Sequence, residues 1–416
     1  MKEHRKIFGT DSRVVALGLA RMADSLGNSF LIVVLPLYIA SEKVQGNFFG
    51  LSESFITGLV LGLFGLVTSV FQPLAGGLSD RFGKRKLFVV FGLLLFTVAN
   101  FLYSFAHSYA LLMLIRGTQG LAAALTITAS IALVSEVSEK KNRGNNMGVY
   151  NSFRLIGFGV GPLVSGVLAE SGPYNLPLIG SLNGFVASFY VASAAALISA
   201  LLVGFLVDDP ENIEPSKRSM SIRIRAKEKG RFFDPIFALG LATLIMSFGF
   251  ALLAPIETET NQRLTQGAFL FSVEFSAMIG ALAIFQPLVG KASDKWGRRT
   301  FIIIGLICLI PSELAQGLAM APWQMITARA FQGISASMVF APSLALAGDL
   351  AEKGQTGTQL SVLTVAFGLG ISLGAFLSGY AVHFGFIVPF VVGAVLAGCG
   401  ALLVKTQVPK EKKDLE

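Results

Sequence analysis

Along the chain, apolar residues gather in long blocks separated by short polar interruptions, without the period of a half-buried helix or strand. Twelve such blocks are readable, at about 14–40, 55–78, 86–106, 109–136, 144–170 and 182–207, and after a polar gap at 234–257, 267–290, 300–319, 322–348, 357–383 and 386–405. A run of about 18 or more apolar residues is long enough to cross a ~30 Å hydrocarbon core. Lipid satisfies no backbone hydrogen bonds, so runs of this length must be helices, and the short alternating segments of a membrane barrel do not occur. The pattern predicts an all-α membrane protein of twelve transmembrane helices, with a six-helix bundle in 1–207, a linker in 208–233 and a second six-helix bundle in 234–416.

Composition agrees: 53% of residues are hydrophobic and only 14% charged, against about 25% charged in soluble domains. The first block is longer than a signal core, carries Arg21 and Asp24, and is followed by no clean cleavage site, so it reads as a retained span. The net charge of +8 is distributed by loop and does not point to nucleic acid. Taking the N-terminus as cytoplasmic, the inside segments hold Lys2, Arg5, Lys6 and Arg13, then Arg81, Lys84, Arg85 and Lys86, then Lys140, Lys141 and Arg143. The basic stretch 217–231 follows, then Lys291, Lys295, Arg298, Arg299 and Lys353, and the tail Lys405, Lys410, Lys412 and Lys413. The outside loops carry only Lys43 and Arg263. This asymmetry predicts both termini in the cytoplasm. The stretch 217–231 then reads as a solvated linker beside anionic headgroups.

The chain repeats itself. FQPLAGGLSDRFGKRK at 71–86 returns as FQPLVGKASDKWGRRT at 285–300, which relates Asp80, Gly83 and Arg85 to Asp294, Gly297 and Arg299. Give or take one residue, the same spacing relates Arg116, Gln119 and Gly120 to Arg329, Gln332 and Gly333, and Gly161, Ser165 and Gly166 to Gly374, Ser378 and Gly379. A tandem duplication of six helices predicts halves of parallel topology around an axis along the membrane normal, with a path between them.

The motifs carry a resemblance. Gly76 through Asp80, Arg81 and Gly83 to Arg85 resembles the loop-two/three signature of the major facilitator superfamily, and Gly290 to Arg299 is its weaker second copy. Arg116-Gly117-Thr118-Gln119-Gly120 resembles the fourth-helix motif of that family. The run Gly157, Gly159, Gly161, Pro162, Ser165, Gly166 resembles the fifth-helix motif of its drug:proton antiporter branch, with Ser165 where glycine is usual. The resemblance implies a twelve-helix transporter that functions as a monomer. It also implies a cytoplasmic gate, in which Asp80 meets a helix N-terminus of the other half and Arg85 pairs with Glu136, with Asp294, Arg299 and Asp349 doing the same from the second half. A static staple that only sets topology is the alternative. Gly157, Gly161 and Ser165 lie on one face at four-residue spacing, and their expected partner is the eleventh-helix copy Gly370, Gly374 and Ser378. Tight packing without a gating role is an equal reading.

Charge inside a membrane costs at least ~2.5–3.5 kcal/mol and so points to function. Arg21, Asp24, Ser25 and Asn28 form one polar face of the first helix. Asp24 lies about ten residues in, roughly 15 Å deep. Desolvation and the neighbouring Arg21 pull its proton affinity in opposite directions, so it is either a proton carrier or half of a structural pair. Arg116, Gln119, Thr126 and Ser130 make a comparable stripe on the fourth helix, and Asn151 and Arg154 on the fifth. The second half sets Arg329 against Glu257, Glu274 and Glu313, with Glu259 expected at the outer surface. Glu274 and Glu313 are further proton-coupling candidates. Arg21, Asn28, Arg116, Gln119, Asn151, Arg154, Arg329 and Gln332 are candidate cavity residues. One use of these charges is the exchange of ion pairs between access states; another is that Arg21 or Arg154 receives an anionic head group.

Cys308 and Cys399 lie inside apolar blocks and read as buried small apolar side chains, without a disulfide or metal spacing. His4, His107 and His383, near segment ends, read as interfacial. No nucleotide loop, metal cluster or catalytic triad is readable, so no cofactor is expected. The expected activity is non-enzymatic: proton-coupled export of a lipophilic or amphipathic small molecule from an inner (plasma) membrane, with lipids, protons and substrate as partners. A uniporter or proton symporter importing a polar metabolite, and a non-transporting sensor or assembly partner, are the alternatives.

Overall fold

The structure, a computed structural model, describes residues 6–7, 10–41, 43–44, 50–138, 142–176, 180–209, 223–226, 231–351 and 356–410. Most of the basic stretch 217–231 lies outside these residues, as do His4, Lys2, Arg5, Lys140, Lys141, Lys353, Lys412 and Lys413. Among the described residues, twelve helical spans are long and apolar enough to cross a membrane. The first six are built from α1 (Ser12–Ile39), α2 (Glu53–Phe82), α3 (Arg85–Leu102), α4 (Tyr109–Val137), α5 (Arg143–Ser171) and α6 (Gly184–Leu206). The second six are built from α7 (Pro235–Phe250), α8 (Glu257–Leu264), α9 (Ala268–Trp296), α10 (Arg298–Leu318), α11 (Pro322–Leu350), α12 (Thr356–Ala381) and α13 (Val388–Gln407).

Local chemistry sets several boundaries. Asp234 caps α7 by accepting from the Ile236 N–H at 2.9 Å, with Pro235 at the first helical position. Asn183 caps α6 in the same way through the Phe185 N–H at 2.9 Å. Gly83 and Gly297 both adopt positive φ, 63° and 94°, in the turns that follow α2 and α9. Their N–H groups return to the Ser79 and Ser293 carbonyls at 3.1 and 2.9 Å, so the duplication is visible as one turn made twice.

The seventh span differs from the expected 234–257. It runs from Pro235 to Leu264 and is interrupted after Phe250 by a turn and a single 3₁₀ turn, Ala254–Ile256. Pro255 lacks an N–H, and its ring opposes the carbonyl four residues back, which breaks the ladder there. The hydroxyl of Ser378 donates to the Leu252 carbonyl, supplying a partner inside the break.

Contacts divide the chain into two compact units, residues 1–50, 70–218 and 267–272, and residues 51–69, 219–266 and 273–416. In the first unit α1 packs on α5 and α6, and α3 on α4 and α6. Its fourteen-residue core cluster gathers Val14, Leu17, Val89, Leu93, Leu133 and Val203 among others. The end of α5 meets the first turn of α9 there: Gly166 lies against Ser272, and Glu170 accepts from the Phe269 N–H at 2.9 Å. In the second unit α7 packs on α12 and α13, and α10 on α11 and α13. The first half of α2 lies along α12, with Gly58 against Ala375, Gly65 against Gly368, and the Ser69 hydroxyl donating to the Val365 carbonyl at 3.2 Å.

The glycine-rich faces have other partners than expected. Gly157 packs on Met22 and Ser25 of α1, and Gly161 on Leu26 and Ser29 of α1. Gly370 and Gly374 pack on Leu244, Ser247 and Phe248 of α7. Small residues permit close approach, but each stripe uses it against the first span of its own six. Ser165 is fully buried and donates to the Pro162 carbonyl at 3.0 Å, within its own helix.

Cys308 is half-buried and Cys399 exposed, against the expectation of burial. Helices wet by lipid carry apolar side chains on their outer faces, so an apolar block does not mean an interior position. His107 and His383 are exposed, as interfacial residues are, and His383 is hydrogen-bonded to Ser52. Glu259 is half-buried and takes the Ser54 hydroxyl, so it is not a free surface acid.

Candidate functional site

Two buried polar networks occupy matching places in the two halves. In the first, Arg116 and Gln119 stand three residues apart on one face of α4 and meet α3. The Arg116 Nη1 and the Tyr103 hydroxyl both donate to Gln119 Oε1 at 2.9 Å, and Gln119 Nε2 donates to Asn100 Oδ1 at 2.7 Å. Asn100 Nδ2 in turn reaches the Ala192 carbonyl of α6 at 3.3 Å.

In the second half, Arg329 and Gln332 stand on α11 as Arg116 and Gln119 do on α4. Arg329 Nη1 donates to Gln332 Oε1 at 2.6 Å, and Gln332 Nε2 donates to Glu313 Oε1 at 2.7 Å. The geometry is conserved between the copies and the chemistry is not: Glu313 takes the place of Asn100, and Gln316 that of Tyr103. The Arg329 guanidinium lies over the Phe275 ring at 5.2 Å. Gly249 and Gly393 pack directly against the Glu313 carboxyl, which is 1% exposed, so the acid is held in a fitted cradle.

Two more carboxylates belong to this region. Glu274 on α9 accepts from Gln266 Nε2 at 2.9 Å, and Gln266 also donates to Asn261 Oδ1 at 3.2 Å. Glu257, fully buried, opens α8 just past the break and lies within electrostatic range of Glu274. Glu274 and Glu313 both act electrostatically on Arg329. Glu274 Oε2, Glu313 Oε2, and the Nε and Nη2 of Arg329 have no hydrogen-bond partner among the described residues. Two carboxylates thus share one guanidinium, and the third, Glu257, lies within range of Glu274.

The first half keeps its acid differently. Arg21 pairs with Asp24 three residues on, with Asp24 4% exposed. Beside the pair is a cavity of about 10 Å³, with Thr126 and Ser130 on its polar side and Leu17, Val89, Leu93 and Val203 on its apolar side. The expected α4 stripe is therefore split, Arg116 and Gln119 serving α3 and the later pair facing Asp24. Asn28 is half-buried on α1. On α5, Arg154 Nε donates to Asn151 Oδ1 at 2.9 Å.

The loop signatures form charge clusters. Arg85, buried at the start of α3, pairs with Asp80 at 2.5 Å and Glu136 at 2.9 Å and donates to the Ser79 hydroxyl at 2.9 Å. Arg81 is exposed, and a methyl group at Gly76 would meet nothing within 4 Å. In the second copy the cation is Arg298, not Arg299. Arg298 pairs with Asp294 at 2.8 Å and with Asp349, while Arg299 donates to the Lys405 carbonyl. The physical reason is length: Lys84 separates Gly83 from α3, whereas α10 starts immediately after Gly297. No group of three or more His, Cys, Asp or Glu among the described residues is arranged to hold a metal ion.

Sequence reasoning found the arginine–glutamine pairs and the acids but missed Asn100, Tyr103, Gln316, Phe275, Gln266, Gly249 and Gly393. The repeat spacing relates Asn100 to Glu313 and Tyr103 to Gln316, a signal that identical-letter matching passes over.

Known proteins agree with this architecture. An uncharacterized MFS-type transporter of Methanocaldococcus jannaschii is 24% identical over 373 residues, covering 89% of this chain and 91% of the relative. The quinolone resistance protein NorA of Staphylococcus aureus is 25% identical over 394 residues, covering 92% and 93%. Among solved structures, a bacterial homologue of the human lysosomal transporter Spinster, inward-facing and occupied, superposes with TM-score 0.77 at 16% identity over 95% of this chain and 96% of that one. A peptide transporter POT superposes with TM-score 0.79 at 14% identity over 96% and 95%. The family profile of the Major Facilitator Superfamily matches residues 17–282 and again 239–416, and the chain belongs to that family of membrane transporters.

Proposed function

We propose that this transporter is a proton-driven exporter of lipophilic or amphipathic small molecules, working by alternating access in the plasma membrane with both termini cytoplasmic. The observation that carries the reading is the bonded chain Arg329–Gln332–Glu313 with Glu274 and Glu257 beside it. If all three acids were ionised, two negative charges would stay uncompensated in a low-dielectric setting, which is costly. Protons are the smallest cations that neutralise them, and Arg329 is the fixed charge they compete with. Glu313 is the leading proton carrier in this reading. Asp24 comes second, because it has the Arg21 guanidinium to itself. Residues 1–207 and 234–416 act as the moving halves, joined by 208–233, and the Arg85 and Arg298 clusters act as cytoplasmic latches.

Two further points support export. A relative is named for quinolone resistance, and removing a compound from the cell is one way to resist it. The fifth-helix run from Gly157 to Gly166 resembles that of drug:proton antiporters.

The test uses proteoliposomes holding a trapped pH dye under an imposed pH gradient, with lipophilic cations, anions and zwitterions added in turn. Substrate-triggered proton flux in the wild type, lost in Glu313→Gln, is the expected result. Flux that persists in Glu313→Gln and disappears in Asp24→Asn would move the proton site to α1. Substrate movement without proton flux would overturn proton coupling.

A further inference from the structure

We infer that Arg154, oriented by Asn151, receives the carboxylate of an amphipathic substrate. The inference names the substrate class of the transport reading above; its binding step stands without proton coupling.

Arg154 lies eleven residues from the start of α5 at Arg143, about 16 Å along the axis. That is too deep for its side chain to reach the headgroup region from this end. Its Nε is taken by Asn151 at 2.9 Å, which fixes the plane of the guanidinium and leaves the Nη1 and Nη2 edge for a second partner. Among the described residues no carboxylate lies within ion-pairing distance of Arg154, and the nearby acid, Asp24, is engaged with Arg21. Both Arg154 and Asn151 are half-buried, neither being wholly enclosed by protein.

The close α1–α5 seam concentrates charge of one sign. Gly18 abuts Phe153, and Gly157 abuts Met22 and Ser25, so Arg21 and Asp24 of α1 are brought beside α5, with Arg21 within electrostatic range of Arg154. Two guanidiniums against one carboxylate leave one positive charge in excess. An arriving anion neutralises that charge and gains the planar two-bond geometry that an arginine fork offers a carboxylate. An arriving cation meets repulsion. Phe158, one turn on with its ring 5.9 Å from the guanidinium carbon, supplies an apolar surface next to the head-group position. A carboxylate on an aromatic or aliphatic body fits both features.

The experiment is calorimetric titration of purified full-length protein in detergent with three probes of one ring system: 1-naphthaleneacetate, its neutral amide, and 1-naphthylmethylammonium. The wild type should bind the carboxylate at least about tenfold more tightly than either other probe. Arg154→Gln should abolish that preference, Arg154→Lys should keep part of it, and Asn151→Ala should weaken carboxylate binding severalfold. Equal binding of the three probes by the wild type would overturn the inference, as would an Arg154→Gln protein that keeps the carboxylate preference. If Arg154→Gln does not fold, the ranking of probes by wild type and Arg154→Lys decides. Selective carboxylate binding with no proton flux would defeat the proton-coupling reading and leave this one standing.

Discussion

Gln332 donates to Glu313 across the α10–α11 contact at 2.7 Å, and Gln119 donates to Asn100 across α3–α4 at the same distance. One copy of the duplicated network ends on a neutral amide and the other on an acid. Removing the acid's charge should therefore test function with little damage to the fold. Glu313→Gln keeps a hydrogen-bonding carbonyl for Gln332, so it should unfold within a few degrees of the wild type while losing at least about tenfold of substrate-triggered proton flux. Thermal unfolding and dye-loaded proteoliposomes measure the two halves of that statement.

The Arg85 cluster makes a different prediction. Arg85 is buried and holds two half-exposed acids. Arg85→Ala should cost about 1–3 kcal/mol by stranding them. Arg85→Lys should recover less than half of that, because an ammonium cannot reproduce the fork that grips Glu136 through Nε and Nη2. Denaturation in detergent, followed by far-ultraviolet circular dichroism, reads the difference.

Arg298 and Arg299 separate by double-mutant cycle. The pair Arg298–Asp349 should show a coupling energy of about 0.5–1 kcal/mol, the scale of an exposed ion pair, and Arg299–Asp349 a coupling near zero. A larger coupling at Arg299 would restore the register expected from the sequence repeat.

The glycine stripe on α5 predicts a limit on size. A methyl group at Gly157 would clash with the Met22 carbonyl oxygen and lie 3.0 Å from the Ser25 Cβ, so Gly157→Ala should already lower the midpoint of thermal unfolding in detergent. Gly157→Leu should destabilise by at least about 1–3 kcal/mol through overpacking against the α1 backbone.

The broken seventh span offers a further substitution. Ser378→Ala removes the hydroxyl that bonds the Leu252 carbonyl. Leaving that buried group unpaired should cost about 1–3 kcal/mol. Amide exchange should rise first in residues 251–256.

Helices and duplication were legible because long apolar blocks admit few alternatives in lipid and because Gly83 and Gly297 recur with the same Ser and Asp before them and the same Arg two residues after. The candidate acids were legible because charge in such blocks is rare. Three things were not. Small-residue spacing announces a close helix contact without naming the other helix, so the partner of Gly157 had to be seen. Matching letters aligned Arg85 with Arg299, whereas geometry selects the residue whose helical phase points at Asp294 and Asp349. The interruption at 251–256 left almost no trace, since Pro255 is its single local signal within an apolar run.

The different helix starts after Gly83 and Gly297 bear on how such a duplicated chain can change over generations. Moving a helix start by one residue turns the side chains that follow by about 100° relative to the turn before them. With arginine at both 298 and 299, the contact to Asp294 and Asp349 is made by the first of them, while Arg85 makes the matching contact in the other copy. Runs of like basic residues at helix starts thus act as slack in the reading of register, so that two copies of one segment keep a contact while the residue that bears it differs.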